Sequence, residues 1–201
     1  MQSKNNAWTD DNLIKVLMGG GVVVMPTDTI YGIIGRAQDE GVVNRIYSIR
    51  NRNTQKPCII LIGDISELNK FSITLSDEQK QELEKYWSLD STPDLSSSDF
   101  NPTSVVLECS DDSFQYLHRG TKTLAFRLPS SQALRDLLLK TGPLIAPSAN
   151  KEAFPPNYDI AGAKESFGNL VDLYVDVGEQ RSKASRLIRL HADGSVDILR
   201  E

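Results

Sequence analysis

The stretch "GVVVMPTDTIYGIIGRA", residues 21–37, decides the fold. Its first part, "VVVM", is apolar without alternation, as expected of a short strand covered on both faces of a sheet. "IIGRA" reads as a second short strand. Between them stands "PTDTIYG", a turn with two threonines, an aspartate and a tyrosine. Ordinary turns need Gly, Pro, Asn or Asp, each for its backbone. Two hydroxyls and a phenol side by side are more than a turn requires, so this strand end is a candidate binding site.

The chain on either side continues the alternation of strand and helix. "TDDNLIKVLMGGG" predicts an opening helix, with Thr9 as N-cap and Asp10 and Asp11 at the positive end of its dipole. Ile14, Leu17 and Met18 form its apolar stripe, and Gly19 to Gly21 stop it. "DEGVVNRIYSIR" predicts a helix, "NRNTQKP" a loop and "CIILI" a buried strand. "DISELNKF" and "SDEQKQELEKYW" predict helices capped by Asp64 and Ser76, with Ser76 and Gln79 at capping-box spacing. Residues 88–102, "SLDSTPDLSSSDFNP", have no period and predict a long, mobile surface loop. "TSVVLEC" and "TKTLAFRL" are strands, and "SSQALRDLLLKTG" is a helix with Leu134, Leu137 and Leu138 inward. "PLIAPSAN" is a strand ending in a polar turn, "YDIAGAKESFG" a helix and "LVDLYVDVG" a strand. "ASRLIRLHADGSVDILR" is a hairpin turning at Asp193-Gly194. The expected class is α/β (α+β): one domain over residues 1–201, built on an open, twisted, mixed sheet flanked by helices.

Composition narrows the function. A chain of 201 residues can bury one large core. No apolar run approaches the roughly 20 residues that span a bilayer, and the first residues lack the apolar segment of a signal peptide. No membrane association and a cytoplasmic location are expected. Cys58 and Cys109, each beside aliphatic residues, are expected to be buried reduced thiols. A net charge of −5 argues against a general nucleic-acid coat, although one basic face remains open. The densest positive cluster is "RIYSIRNRNTQK", with Arg45, Arg50, Arg52 and Lys56.

Three polar stretches follow strands: "PTDT", "RLPS" and "SAN". Ligands of open α/β sheets bind beyond strand ends, so the three turns can share one pocket. Arg127 sits inside the apolar strand "LAFRLP"; it must face solvent or meet an anion, since a buried unpaired guanidinium is costly. Guanidiniums and an ammonium suit phosphates, and hydroxyls and an amide suit positioning. The chain has no Walker-type or dinucleotide glycine motif, no Cys/His metal spacing and no Ser-His-Asp order. His118 and His191 stand alone, as structural or surface residues. The residues themselves point to an anion-binding cleft for a nucleotide, with no catalytic nucleophile.

"VVVMPTDTIYGIIGRA", "IYSIRNRNTQKPCIIL", "LAFRLP", "PLIAPSAN" and the late serine of "KASRLIRL" resemble, in order, the YrdC/TsaC family of threonylcarbamoyl-AMP synthases in its short form. The resemblance implies an open twisted α/β sheet with a concave basic cleft. It implies an enzyme that makes L-threonylcarbamoyl-AMP and pyrophosphate from L-threonine, bicarbonate or carbon dioxide, and ATP with Mg2+. A partner transferase complex then modifies certain tRNAs, with direct contact to tRNA or double-stranded RNA a further implication. Arg50 and Arg52 fall on the signature that contacts ATP phosphates, and Lys56 on its following lysine. Ser148 and Asn150 fall on the Ser-x-Asn signature against nucleotide and carbamate. Thr27 and Tyr31 fall on the threonine pocket, and Arg127 on the arginine suited to the threonine carboxylate. Ser185 matches the late serine, Arg200 the C-terminal arginine facing the nucleotide, and Ser104 a position where the family has threonine. The family's lysine is Arg50 here, its P-G-P-x-T segment reads "FNPTS", and its late Ser-Thr pair reads Ser185-Arg186. Two other readings stay open from these residues: a paralogue of the same fold that binds RNA or nucleotide without synthesis, and a carbamoyl-adenylate-forming domain of the hydrogenase-maturation type.

Overall fold

The structure, a computed structural model, describes residues 3–87 and 102–201. The predicted loop over 88–102 therefore lies, except for Pro102, outside the described residues. The described strands are β1 Val23–Pro26, β2 Tyr31–Arg36, β3 Ile59–Leu61, β4 Thr103–Glu108, β5 Thr123–Arg127, β6 Leu144–Ile145, β7 Leu173–Tyr174, β8 Arg186–Leu190 and β9 Val196–Arg200. The α-helices are α1 Lys4–Trp8, α2 Asp11–Met18, α3 Glu40–Arg50, α4 Asp77–Tyr86, α5 Gln115–His118, α6 Gln132–Thr141 and α7 Ile160–Phe167. One mixed sheet runs in the order β7-β1-β2-β6-β3-β5-β4-β8-β9. The pairs β1–β7, β3–β5 and β4–β8 are parallel and the others antiparallel. The expected mixed α/β sheet is thus observed.

Alternation along the strands explains the layers, because successive side chains point to opposite faces. Val22 and Val24 join the larger core cluster with Ile46 of α3, Leu83 of α4 and Phe167 of α7. Val23 and Met25 join the smaller one with Trp8 of α1, Leu17 of α2 and Leu134, Leu137 and Leu138 of α6. β1 is therefore covered on both faces, which is why its sequence shows no period. Among the described residues, helices α1, α2 and α6 cover the second face only from β1 as far as β3, whose Leu61 joins that cluster. On β5, β4 and β8 that face bears Ala125, Val106 and Arg189, which belong to neither cluster. The uncovered half of the sheet is where a ligand can lie.

Local chemistry sets the helix ends. Asp64 caps a 3-10 helix over Ile65–Phe71, and Ser76 and Gln79 form a complete capping box on α4. The opening helix differs from expectation. Asp10, not Thr9, is the N-cap, with Leu13 N donating to its carboxylate at 2.9 Å. Thr9 instead closes α1, a five-residue helix that abuts α2. Leu13 and Leu17 are the buried positions of α2 while Met18 is exposed, so the stripe starts one residue earlier than predicted. Cys58 and Cys109 are buried free thiols, as expected. His118 is buried, its Nδ1 accepting from Gly120 N at 3.1 Å.

Asp172 pins β1 to α3. It accepts from Val22 N at 2.7 Å and from both terminal nitrogens of Arg45 at 2.6 and 3.0 Å. These bonds, the Arg45 pair first, hold its carboxyl below the ordinary aspartate range. Because the folded-state pKa is depressed, the stabilisation is present at neutral pH and is lost as pH falls through the folded value. The carboxylate is 39% exposed, so after screening it contributes only about 0.5–1 kcal/mol. Asp172→Asn is expected to lose that amount at pH 7 in urea unfolding, and the gap to wild type to close below pH about 4.

Candidate active site

A cleft of about 500 Å³ occupies the bare half of the sheet, within the usual range for small-molecule sites, about 300–1,000 Å³. Its floor is one row of cross-strand partners: Ile59 opposite Ala125, Ala125 opposite Val106, and Val106 opposite Arg189. The row is apolar until its last member. Among the described residues the walls carry four arginines, Arg52, Arg127, Arg189 and Arg200, and no acidic residue.

The "PTDT" turn forms one wall. Thr27 Oγ1 donates to Ile30 O at 2.8 Å and lies 3.0 Å from Thr29 Oγ1, and Thr29 N donates back to Thr27 Oγ1 at 3.2 Å. The turn is thereby fixed by its own hydroxyls. Arg127, at the end of β5, reaches into it. Its Nη2 donates to Asp28 Oδ1 at 2.7 Å and lies 3.3 Å from Thr29 Oγ1. The two charged side chains are 5% and 3% exposed, so the buried guanidinium has met an anion of its own chain.

The "SAN" turn is docked beside it. Ile33 N donates to Pro147 O and Ala149 N to Tyr31 O, and Gly32 bridges Ser148. A Cβ on Gly32 would stand 2.7 Å from Ile34 Cδ1 and 3.4 Å from Pro147 O, so glycine permits this approach. Arg50, at the C-terminal end of α3, locks the turn from behind. Its Nε donates to Asn150 O at 2.8 Å and its Nη2 to Ser148 Oγ at 3.3 Å and Asn150 Oδ1 at 3.4 Å. Burial, and then the charge of Arg52, pull its pKa down to about 10. Asn51 ends α3 in the left-handed conformation, φ 50°, which asparagine tolerates. The chain thus turns Arg52 toward the cleft while its Nη2 donates to Pro57 O at 2.9 Å.

The opposite wall comes from the C-terminal hairpin. Ser104 and Ser185 are both buried, with hydroxyls 2.8 Å apart. Arg200 donates to Ser185 O through Nε at 3.1 Å and Nη2 at 2.7 Å. Its pKa is lowered by burial and then by the charge of Arg127. The two guanidiniums therefore act on one another, an arrangement that an anion between them would relieve.

Of the residues expected from sequence, Thr27, Tyr31, Arg52, Arg127, Ser148, Ser185 and Arg200 line the cleft. Arg50, Asn150 and Ser104 stand outside the lining but bond to it: Arg50 Nη2 and Asn150 N donate to Ser148, and Ser104 Oγ meets Ser185 Oγ. Lys56 points elsewhere: its ammonium pairs with Glu152 at 2.7 Å and is 60% exposed. The Tyr31 phenol is already committed, donating to Gly178 O at 2.8 Å and accepting from Val177 N at 3.1 Å. Tyr31 therefore positions the wall rather than offering a free hydroxyl. Thr29, from the "PTDT" turn, also lines the cleft, as do Thr121, Thr123 and Arg189, which no motif marked. The signal available was alternation: Thr123, Ala125 and Arg127 must share a face of β5.

A family model described as "Telomere recombination", Sua5_yciO_yrdC, matches residues 15–201. The chain belongs to the Sua5/YciO/YrdC family. Among its relatives is the putative threonylcarbamoyl-AMP synthase of Mycobacterium leprae (strain TN), 28% identical over 187 residues, covering 93% of this chain and 80% of that one. The threonylcarbamoyl-AMP synthase of Pyrococcus abyssi is 28% identical over 163 residues, 81% of this chain and 44% of that one. The crystal structure of P. abyssi Sua5 complexed with L-threonine superposes with a TM-score of 0.75 at 25% identity, over 94% of this chain and 52% of that one. This member of the Sua5/YciO/YrdC family thus spans about half of the P. abyssi protein and most of the mycobacterial one.

Proposed function

We propose that the protein is a threonylcarbamoyl-AMP synthase: it condenses L-threonine, bicarbonate or carbon dioxide, and ATP into L-threonylcarbamoyl-AMP with release of pyrophosphate. The observation that carries this reading is the meeting of Arg52, Arg127, Ser148, and the Ser185 and Arg200 of the C-terminal hairpin, from four separate segments, in one cleft of a chain of this family. The alternative of a nucleotide- or RNA-binding paralogue, to which Arg50 and the altered "FNPTS" segment point, is not favoured. The Ser148–Asn150 turn is intact and locked.

The reaction asks for charge and position more than for acid–base groups. The threonine amine adds to carbon dioxide and loses a proton to give a carbamate. A carbamate oxygen attacks the α-phosphorus of ATP, and the bond from that phosphorus to the bridging oxygen of pyrophosphate breaks. In this reading Arg127 takes the amino-acid carboxylate, with the threonine hydroxyls of the turn beside it. A site that hydrogen-bonds a substrate hydroxyl rejects analogues lacking it more strongly than an apolar slot does. In this reading Arg52 and Arg200 meet the phosphates, where fixed cations stabilise the charge that builds on the leaving pyrophosphate. The apolar floor row suits the face of the adenine base. Magnesium enters with ATP as part of the substrate. Among the described residues no three His, Cys, Asp or Glu side chains stand together to hold it, so no step is assigned to a protein-bound metal.

The product is a labile mixed anhydride, to be consumed by a transferase acting on tRNA. Its synthesis fits a cytoplasmic location, and no described helix is long and apolar enough to cross a membrane. The test is pyrophosphate release in four mixtures, one complete and three each lacking threonine, bicarbonate or ATP. The expected result is release in the complete mixture alone, with a mass matching threonylcarbamoyl-AMP. Release without threonine would overturn the reading.

A further inference from the structure

Asp28 is the one carboxylate in the "PTDT" turn, and it is sealed. Its Oδ1 takes Arg127 Nη2 at 2.7 Å, and its Oδ2 is buried without a partner. The pairing is single, not forked. Arg127 Nε is also buried and unpartnered, although a forked pair would have used it together with Oδ2. What the single contact leaves free is Arg127 Nη1. It makes no bond among the described residues and is not among the sealed atoms, on a side chain that lines the cleft.

A second cation approaches Asp28 from behind. Lys4, on α1, lies with Nζ 3.5 Å from Thr27 O, and its ammonium feels the Asp28 charge although burial is the larger influence on it. Trp8, at the other end of α1, donates from Nε1 to Pro26 O at 2.9 Å. Helix α1 therefore presents two donors to consecutive carbonyls of this turn. It lies wholly before residue 15, where the family model begins to match.

We propose that Asp28 is a positioning residue: it grips Arg127 by one nitrogen and leaves another aimed at the carboxylate of the amino-acid substrate, with α1 as the buttress through the Lys4–Thr27 O and Trp8–Pro26 O bonds. This rests on the reading of Arg127 as the carboxylate partner. Arg127 and Asp28 alone are neutral, so an incoming carboxylate would leave one unbalanced negative charge in a buried place. Arg200, whose charge acts on Arg127, and Lys4, whose ammonium feels Asp28, both offset it. If Asp28 were a mere structural counter-ion, its loss would harm every substrate alike.

The test compares L-threonine with L-threoninamide, which lacks the carboxylate charge, as substrates for pyrophosphate release. The ratio of their kcat/KM values reports the Arg127–carboxylate contact and is indifferent to global stability. In Asp28→Asn the ratio is expected to fall at least tenfold, with the KM for ATP within threefold of wild type. In Lys4→Met it is expected to fall about threefold. An unchanged ratio in Asp28→Asn, with both substrates slowed together, overturns the proposal. Should Asp28→Asn fail to fold, Lys4→Met decides, and an unchanged ratio there overturns it. A wild type with no threonine-dependent turnover refutes the functional reading. A wild type that turns over threonine and its amide equally refutes this inference alone.

Discussion

Arg52→Ala is expected to lower threonine- and ATP-dependent pyrophosphate release by about 10²–10³-fold, the usual loss when one preorganised donor to developing charge is removed. The reasoning is geometric. Arg52 lines the cleft, and its guanidinium is already held by Pro57 O and Lys56 O. It therefore meets a phosphate without paying to order itself. Its ring neighbour is Tyr47, 5.8 Å from the guanidinium carbon to the ring centroid. The side chain adds little to the core, so the variant should melt within a few degrees of wild type. Steady-state kinetics with thermal melting separates the two effects, and full turnover in a folded Arg52→Ala protein would remove Arg52 from the machinery.

The second large effect is expected at Arg50, by a different route. Arg50 touches the site only through the Ser148–Asn150 turn. Arg50→Met fills the same space but leaves Asn150 O and Asn150 Oδ1 without the donor that held them. Leaving a buried acceptor unpaired costs about 1–3 kcal/mol. Part of that is offset, because the buried guanidinium is itself poorly solvated, as its lowered pKa records. Stability is thus expected to change by less than about 2 kcal/mol, while turnover falls about 10²-fold or more because the turn is no longer fixed. Arg50→Lys keeps one charged donor and is expected to stay within about tenfold of wild type, although it loses the planar fork. Full activity in Arg50→Met would show that the turn holds itself.

What could be read in the sequence followed from local rules. The apolar run before Pro26, the capping box at Ser76 and the hairpin at Asp193-Gly194 each state their structure within a few residues, and each was found where expected. The cleft was legible because its turns follow strands and because Arg127 is out of place in an apolar strand. The partner of Arg127 was not legible. Asp28 lies 99 residues away, and no local spacing records a pair closed only by the sheet. The same holds for Tyr31, whose hydroxyl is taken by a loop 147 residues distant. Helix α1 was missed because "KNNAW" is too short and too polar to show a period. Lys56 shows the reverse case: a cation expected at the cleft whose ammonium instead pairs with Glu152, 96 residues away and outside the cleft lining.

The strand order carries a further consequence. Thr27 and Thr29 stand by β1 and β2, near one end of the sheet, and Ser185 and Arg200 by β8 and β9, at the other. A molecule gripping both ends acts as a strut between halves that the backbone joins only through the strands in between. Substrate occupancy should therefore slow amide exchange even in strands it never touches. Three of the sheet's pairings are parallel and joined by long excursions of chain, so assembly belongs to the slow, non-local kind measured in milliseconds to seconds. No contiguous fragment of the chain holds all of these arginines and hydroxyls, and recognition is a property that arrives with the last strand to dock.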